Sequence, residues 1–108
     1  MSKLEAKNKI KKIIIDYLLK LQDHNLDVEQ IYLFGSHVNG NPGRWSDIDV
    51  ALISNNFEHD FEKKEDMAWH FRRYIDTRIE PHLFSRKDFD DEYNPMALEI
   101  KKNGIKIK

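Results

Sequence analysis

The residues in this sequence best suited to chemistry lie close together. Gly35 and Ser36 are separated by ten residues from Asp47 and Asp49, and Ser46-Asp47-Ile48-Asp49 runs directly into the apolar stretch Val50-Ala51-Leu52-Ile53. Burying an isolated carboxylate costs several kcal/mol unless it is paired, hydrogen-bonded or bound to a metal. On a strand, residues i and i+2 point to one face, so Asp47 and Asp49 are expected to converge. Like charges held that close raise each other's pKa unless a cation sits between them. Oxygen donors favour a hard ion such as Mg²⁺, which takes one or two carboxylates together with substrate phosphates. An Asp-x-Asp pair also occurs at ordinary turns and helix caps, so the pair alone does not decide between the two readings.

Gly35-Ser36 sharpens the choice. A glycine after a strand lets backbone amides approach a phosphate closely, and a helix starting near Ser36 would add free N–H groups and a favourable dipole. Taken alone, Gly-Ser is also a tight strand-to-helix turn. The segment Gly35 to Gly40 has the outline of a P-loop, but Asn41-Pro42 stands where that motif needs Lys and Ser/Thr, so it is not one.

These residues need elements to position them. From Lys3 to about Asp23, Ile10, Ile13, Ile14, Tyr17, Leu18 and Leu21 recur at spacings of three and four, which predicts an amphipathic helix. Gln30 to Gly35 reads as a strand, Asn39 to Gly43 as a turn, and Asp47 to Ser54 as a second strand. Glu58 to Ile75 reads as mostly helical, with Phe61, Met67 or Ala68, Phe71 and Ile75 toward the core. Arg78 to Ser85 reads as a third strand, which Pro81 confines to an edge or a bulge. Ser85 to Phe89 reads as an N-cap and turn. Pro95 starts a short helix closed by Gly104, before a short extended tail. The order α-β-β-α-β-α predicts an α/β or α+β domain on a small sheet, a single domain over residues 1–108.

Composition narrows the classes further. The 18 basic and 19 acidic residues give a net charge of −1, without the basic excess of a strong nucleic-acid binder. The absence of cysteine removes disulfides, thiol catalysis and cysteine-bound zinc. No window reaches the roughly 18 apolar residues of a membrane span. Asp16, Lys20 and Gln22 break the N-terminal apolar run, so it does not read as an export signal. A cytoplasmic protein is expected.

The combination of Gly35-Ser36 with Ser46-Asp47-Ile48-Asp49 and its apolar strand resembles the DNA polymerase β-like nucleotidyltransferase superfamily, and in particular its small minimal-nucleotidyltransferase group. The resemblance extends over nearly all of the chain from Ile31 on, with Arg78–Ser85 and Asn94–Ile105 standing where such proteins carry a third carboxylate strand and a closing helix. It implies a small mixed β-sheet flanked by helices. It also implies that Asp47 and Asp49 hold two Mg²⁺ ions and that a third carboxylate binds one ion and activates the acceptor hydroxyl. Glu80, in mid-strand, is chosen for that role over Asp76 at the helix–strand junction; many relatives have Asp at this position.

On the same resemblance, Gly35 and Ser36 bind the terminal phosphates of a nucleoside triphosphate. Ser46 and Arg44 are further nucleotide-binding candidates, Arg44 reading equally as an ordinary loop residue. Many relatives place a basic residue soon after Gly-Ser, where this chain has His37. The implied activity moves a nucleoside monophosphate, AMP from ATP, onto a hydroxyl. The implied partner is a HEPN-type helical protein in a toxin–antitoxin pair. The alternative is a non-catalytic antitoxin or interaction module that neutralises its partner by binding.

The remaining candidates are weaker. His37 and His82 could line the site, but no histidine pair has zinc spacing. Trp45 in its loop is a candidate for base stacking, while Trp69 reads as core packing. Phe57, Phe89 and Tyr93 exceed the needs of one small core and are expected to contribute partner-facing surface.

Overall fold

The computed structural model describes residues 2–108. Helix α1 (Lys3–Asp23) begins at Ser2, whose hydroxyl accepts the Glu5 backbone N–H at 3.1 Å. Its predicted apolar face is the observed one: Ile10, Ile14, Tyr17, Leu18 and Leu21 are buried and Ile13 packs beside them. Strand β1 (Gln30–Phe34) follows. Helix α2 (Ser36–Asn39) is a single turn, and β2 (Ile48–Ile53) returns antiparallel to β1 with Phe34 opposite Asp49.

Helix α3 (Phe61–Phe71) leads through a short 3₁₀ turn into β3 (Ile79–Phe84), which lies parallel to β2 with Glu80 opposite Asp49. The single turn α4 (Arg86–Phe89) is capped by Ser85, and α5 (Pro95–Asn103) by Asn94, whose side chain accepts the Ala97 N–H at 3.1 Å. The segment expected to be an extended tail pairs as β4 (Ile105–Lys106) antiparallel to β1. The four-stranded mixed sheet therefore has the order β3-β2-β1-β4, flanked by helices as an α/β fold.

Alternation along the strands divides the core. Ile31, Leu33, Ile48, Val50, Leu52, Ile79 and Leu83 face α1 and α3. Ala51, Ile53 and Phe84 face the opposite way, against Phe89 of α4 and Ala97 and Ile100 of α5. This second face is apolar under α4 and α5, and at its other end carries Asp49, Glu80 and His82.

Pro81 lies on an edge strand, as expected. The Ile48 N–H donates to Arg78 O at 2.8 Å and the Ser54 N–H to Phe84 O at 3.2 Å, so the even-numbered residues of β3 turn their backbone groups toward β2. Pro81 thus directs its missing N–H outward and breaks no ladder bond.

Three expectations for aromatic residues are overturned. Phe57 and Phe89 are fully packed, 1% and 2% exposed, because the turn after β2 and helix α4 fold back onto the sheet. Trp69 is not core: the small Ala68 takes the buried position on α3, and Trp69 sits outside against the Arg72 guanidinium at 4.7 Å. Phe61, expected inside, is also partly exposed. Among the described residues, no helix is long and apolar enough to cross a membrane.

Candidate active site

The site is assembled where β1 ends. Gly35 has φ +78°, a left-handed conformation that turns the chain from β1 into α2. A Cβ there would fall on Asp49 Oδ2 and lie 3.2 Å from Asp49 Cγ, so the glycine is also required by the approach of that carboxylate. Ser36 is exposed at the start of α2. The α2 turn, the following loop and the acidic end of β2 are thus neighbours by construction.

Asp49 is half-buried in β2, directly beside Glu80 of β3. His82, two residues further along β3 and on the same face, brings Nε2 to 3.3 Å from Asp49 Oδ1, while its ring meets Phe34 edge-on. One donor atom from each of Asp49, Glu80 and His82 lies within 4.8 Å of the others. Desolvation raises the Glu80 pKa above the ordinary glutamate value, and interaction with Asp49 and the charge of Asp47 push it the same way; His82 pulls against them. Burial is the larger cause, and the two aspartates add negative charge that a divalent cation would offset. The donor set fits such an ion.

Asp47 stands differently from its expectation as a strand residue. The β1–β2 ladder ends at Phe34 and Asp49 because Gly35 turns away, so Asp47 is exposed one residue before β2 begins. Its charge reaches Glu80, but it lies outside the Asp49–Glu80–His82 cluster.

The loop between α2 and β2 is held from below. Ser46 Oγ accepts the Gly43 N–H at 2.8 Å, and His37 Nε2 lies 3.4 Å from Ser46 O. Arg44 places its guanidinium 5.1 Å from the exposed Trp45 ring and lines a groove of about 680 Å³ with Lys7, Lys9, Ile13, Leu33 and His37. Asp76 is paired with Arg78 at 2.8 Å, and Arg78 also donates to Arg44 O at 3.2 Å. The hydrogen bonds from Arg78 hold the Asp76 carboxyl below its usual range. Asp76 therefore anchors the loop, and Glu80 alone of the two candidates joins Asp49.

Neither the Arg44 groove nor a second concavity of about 790 Å³, between His24 and α3, contains Asp47, Asp49 or Glu80. With His82 and Asp49 side chains 30% and 22% exposed, the acidic cluster is reachable from solvent. His82 is the member that reading for zinc spacing underrates. The signal was its position two residues from Glu80 on one strand.

A family model for the nucleotidyltransferase domain matches residues 11–106. Two crystal structures are similar in fold. One is of a candidate nucleotidyltransferase from Sulfolobus solfataricus, with TM-score 0.60 and 19% identity over 83% of this chain and 79% of that one. The other is of a further candidate nucleotidyltransferase, with TM-score 0.53 and 24% identity over 95% of this chain and 98% of that one. No curated protein matches the chain.

Proposed function

Because the chain belongs to the nucleotidyltransferase domain family, we propose that it transfers a nucleoside monophosphate, AMP from ATP with release of pyrophosphate, to a hydroxyl group presented by a partner protein. The observation that carries this reading is the in-register pair of Asp49 and Glu80 beside the Gly35 turn. One constellation combines carboxylates for cations with a backbone shape suited to phosphate.

Asp47, Asp49 and Glu80 would hold Mg²⁺ as two ions. When bound, such ions neutralise the triphosphate and align the attacking and leaving oxygens. The Gly35 N–H and Ser36 hydroxyl bind the terminal phosphates, and Ser46 with Arg44 keeps the loop beside them. Glu80 receives the proton of the acceptor hydroxyl, and its raised proton affinity suits a general base.

The cluster's openness supports an acceptor delivered by another macromolecule, which completes the site at an interface. The resemblance to minimal nucleotidyltransferases makes a HEPN-type helical protein the partner to test, with a tyrosine, serine or threonine hydroxyl as acceptor. The same openness favours a second reading, a binding module that neutralises its partner without chemistry. Incubation with labelled ATP, Mg²⁺ and the protein encoded next to it, followed by mass spectrometry, separates the two. Label on the partner that disappears with Asp47→Asn is the expected result. Label only on an added small alcohol or an RNA end moves the acceptor to another class. Tight complex formation without label favours the binding module.

A further inference from the structure

We propose that His82 is a direct ligand of the bound cation, so that Asp49, Glu80 and His82 form a mixed oxygen–nitrogen site preferring a first-row transition ion such as Mn²⁺ over Mg²⁺. The inference rests on the nucleotidyltransferase reading for the presence of a cation, and goes beyond it in the donor set.

Three observations carry it. Glu80 and His82 alternate onto the same face of β3, and Asp49 stands opposite Glu80 on β2, so three donors from two adjacent strands converge. Those donors lie within 4.8 Å of one another. The contact between His82 Nε2 and Asp49 Oδ1 is 3.3 Å. At that separation the imidazole nitrogen and the carboxylate oxygen can both face one ion.

The immediate surroundings agree. The Phe34 ring, 5.1 Å from the imidazole, restricts its swing.

Imidazole changes which ion is favoured. Mg²⁺ takes oxygen donors and keeps its waters, whereas a nitrogen donor raises affinity along the first transition series. Mn²⁺ accepts carboxylate oxygen as readily as Mg²⁺ does and tolerates imidazole as well. The position nearest His82 is therefore the selective one.

Mn²⁺ itself is the probe, added to the full chain without nucleotide and followed by electron paramagnetic resonance. The expected signal is a ¹⁴N coupling from directly bound imidazole, with Mn²⁺ binding on the order of 10-fold or more tighter than Mg²⁺. In His82→Gln, which retains a polar side chain, the coupling disappears and the Mn²⁺ advantage shrinks. His37→Gln, which alters the other histidine near the site, leaves the coupling in place. Circular dichroism establishes that each variant is folded, and His82→Asn serves if His82→Gln is not. Bound Mn²⁺ without imidazole coupling overturns the ligand assignment alone and leaves the transferase reading standing. No Mn²⁺ binding by wild type without nucleotide overturns the ligand assignment, and no Mn²⁺ binding even with ATP present overturns the transferase reading as well.

Discussion

At the scale of single residues, Gly35 and Asp49 occupy one space between them. Gly35→Ala would force its methyl into Asp49 Oδ2 and strain a left-handed φ, a conformation costing on the order of 1–3 kcal/mol. Thermal unfolding should reveal that loss. Nucleotide affinity, measured by calorimetry in the folded fraction, should fall together with metal affinity because Asp49 is displaced. Asp49→Asn should abolish Mg²⁺-dependent ATP binding while leaving the fold intact; unchanged affinity would remove Asp49 from the site.

Glu80 makes a pH-dependent case. Its folded-state pKa lies above the ordinary value, so folding favours its protonated form. The associated stability is present below the ordinary glutamate range and is lost as pH rises through the elevated value. Glu80→Gln should therefore be at least as stable as wild type near neutral pH without metal, and the difference should vanish in acid. Added Mn²⁺ or Mg²⁺ should stabilise wild type and not the variant. Transfer should drop by about 100-fold or more. A metal-free variant clearly less stable at neutral pH would contradict this.

Gly35, Ser36, Asp47 and Asp49 could be singled out in the sequence because their spacing is local. His82 could not be joined to Asp49 in the same way, since that contact runs between strands and depends on register.

At the scale of elements, the loop before β2 is tied to β3 through one guanidinium. Arg78 holds Asp76 on one side and the Arg44 carbonyl on the other. Asp76→Asn should loosen that loop and weaken ATP binding modestly, while lowering transfer far less than Glu80→Gln. Comparing the two variants by steady-state kinetics tests the division; reversed effects would make Asp76 the third carboxylate. The Asp76 pKa is depressed, so its contribution is present above the ordinary aspartate range and declines as pH falls through the lower folded value. Unfolding midpoints of wild type and Asp76→Asn should converge in strong acid.

The elements themselves were legible where periodicity is long. Helix α1 emerges with its predicted ends, and α5 with its proline start and glycine stop. Strand β4 was not legible as a strand: two residues carry no alternation, and only the backbone of Tyr32 and Leu33 makes them one. Trp69 was misread because the helix turns Ala68 inward one position earlier.

At the scale of the whole molecule, the strand that carries Glu80 and His82 is also an open border of the sheet. Of the N–H groups facing outward there, that of Ile79 is bound to Asp76 O at 3.2 Å, and Pro81 has none. The outward Ile79 carbonyl accepts from Arg72 at 3.2 Å. A foreign strand approaching this border finds few groups left to pair with, so the edge that carries Glu80 and His82 stays open to solvent while resisting growth into stacked copies of the chain. Pro81→Val would restore a donor in mid-edge while keeping the position apolar. Light scattering at rising concentration should then record self-association that wild type resists. A variant that stays at the wild-type mass would assign the protection to Arg72 and the Ile79 pairing instead.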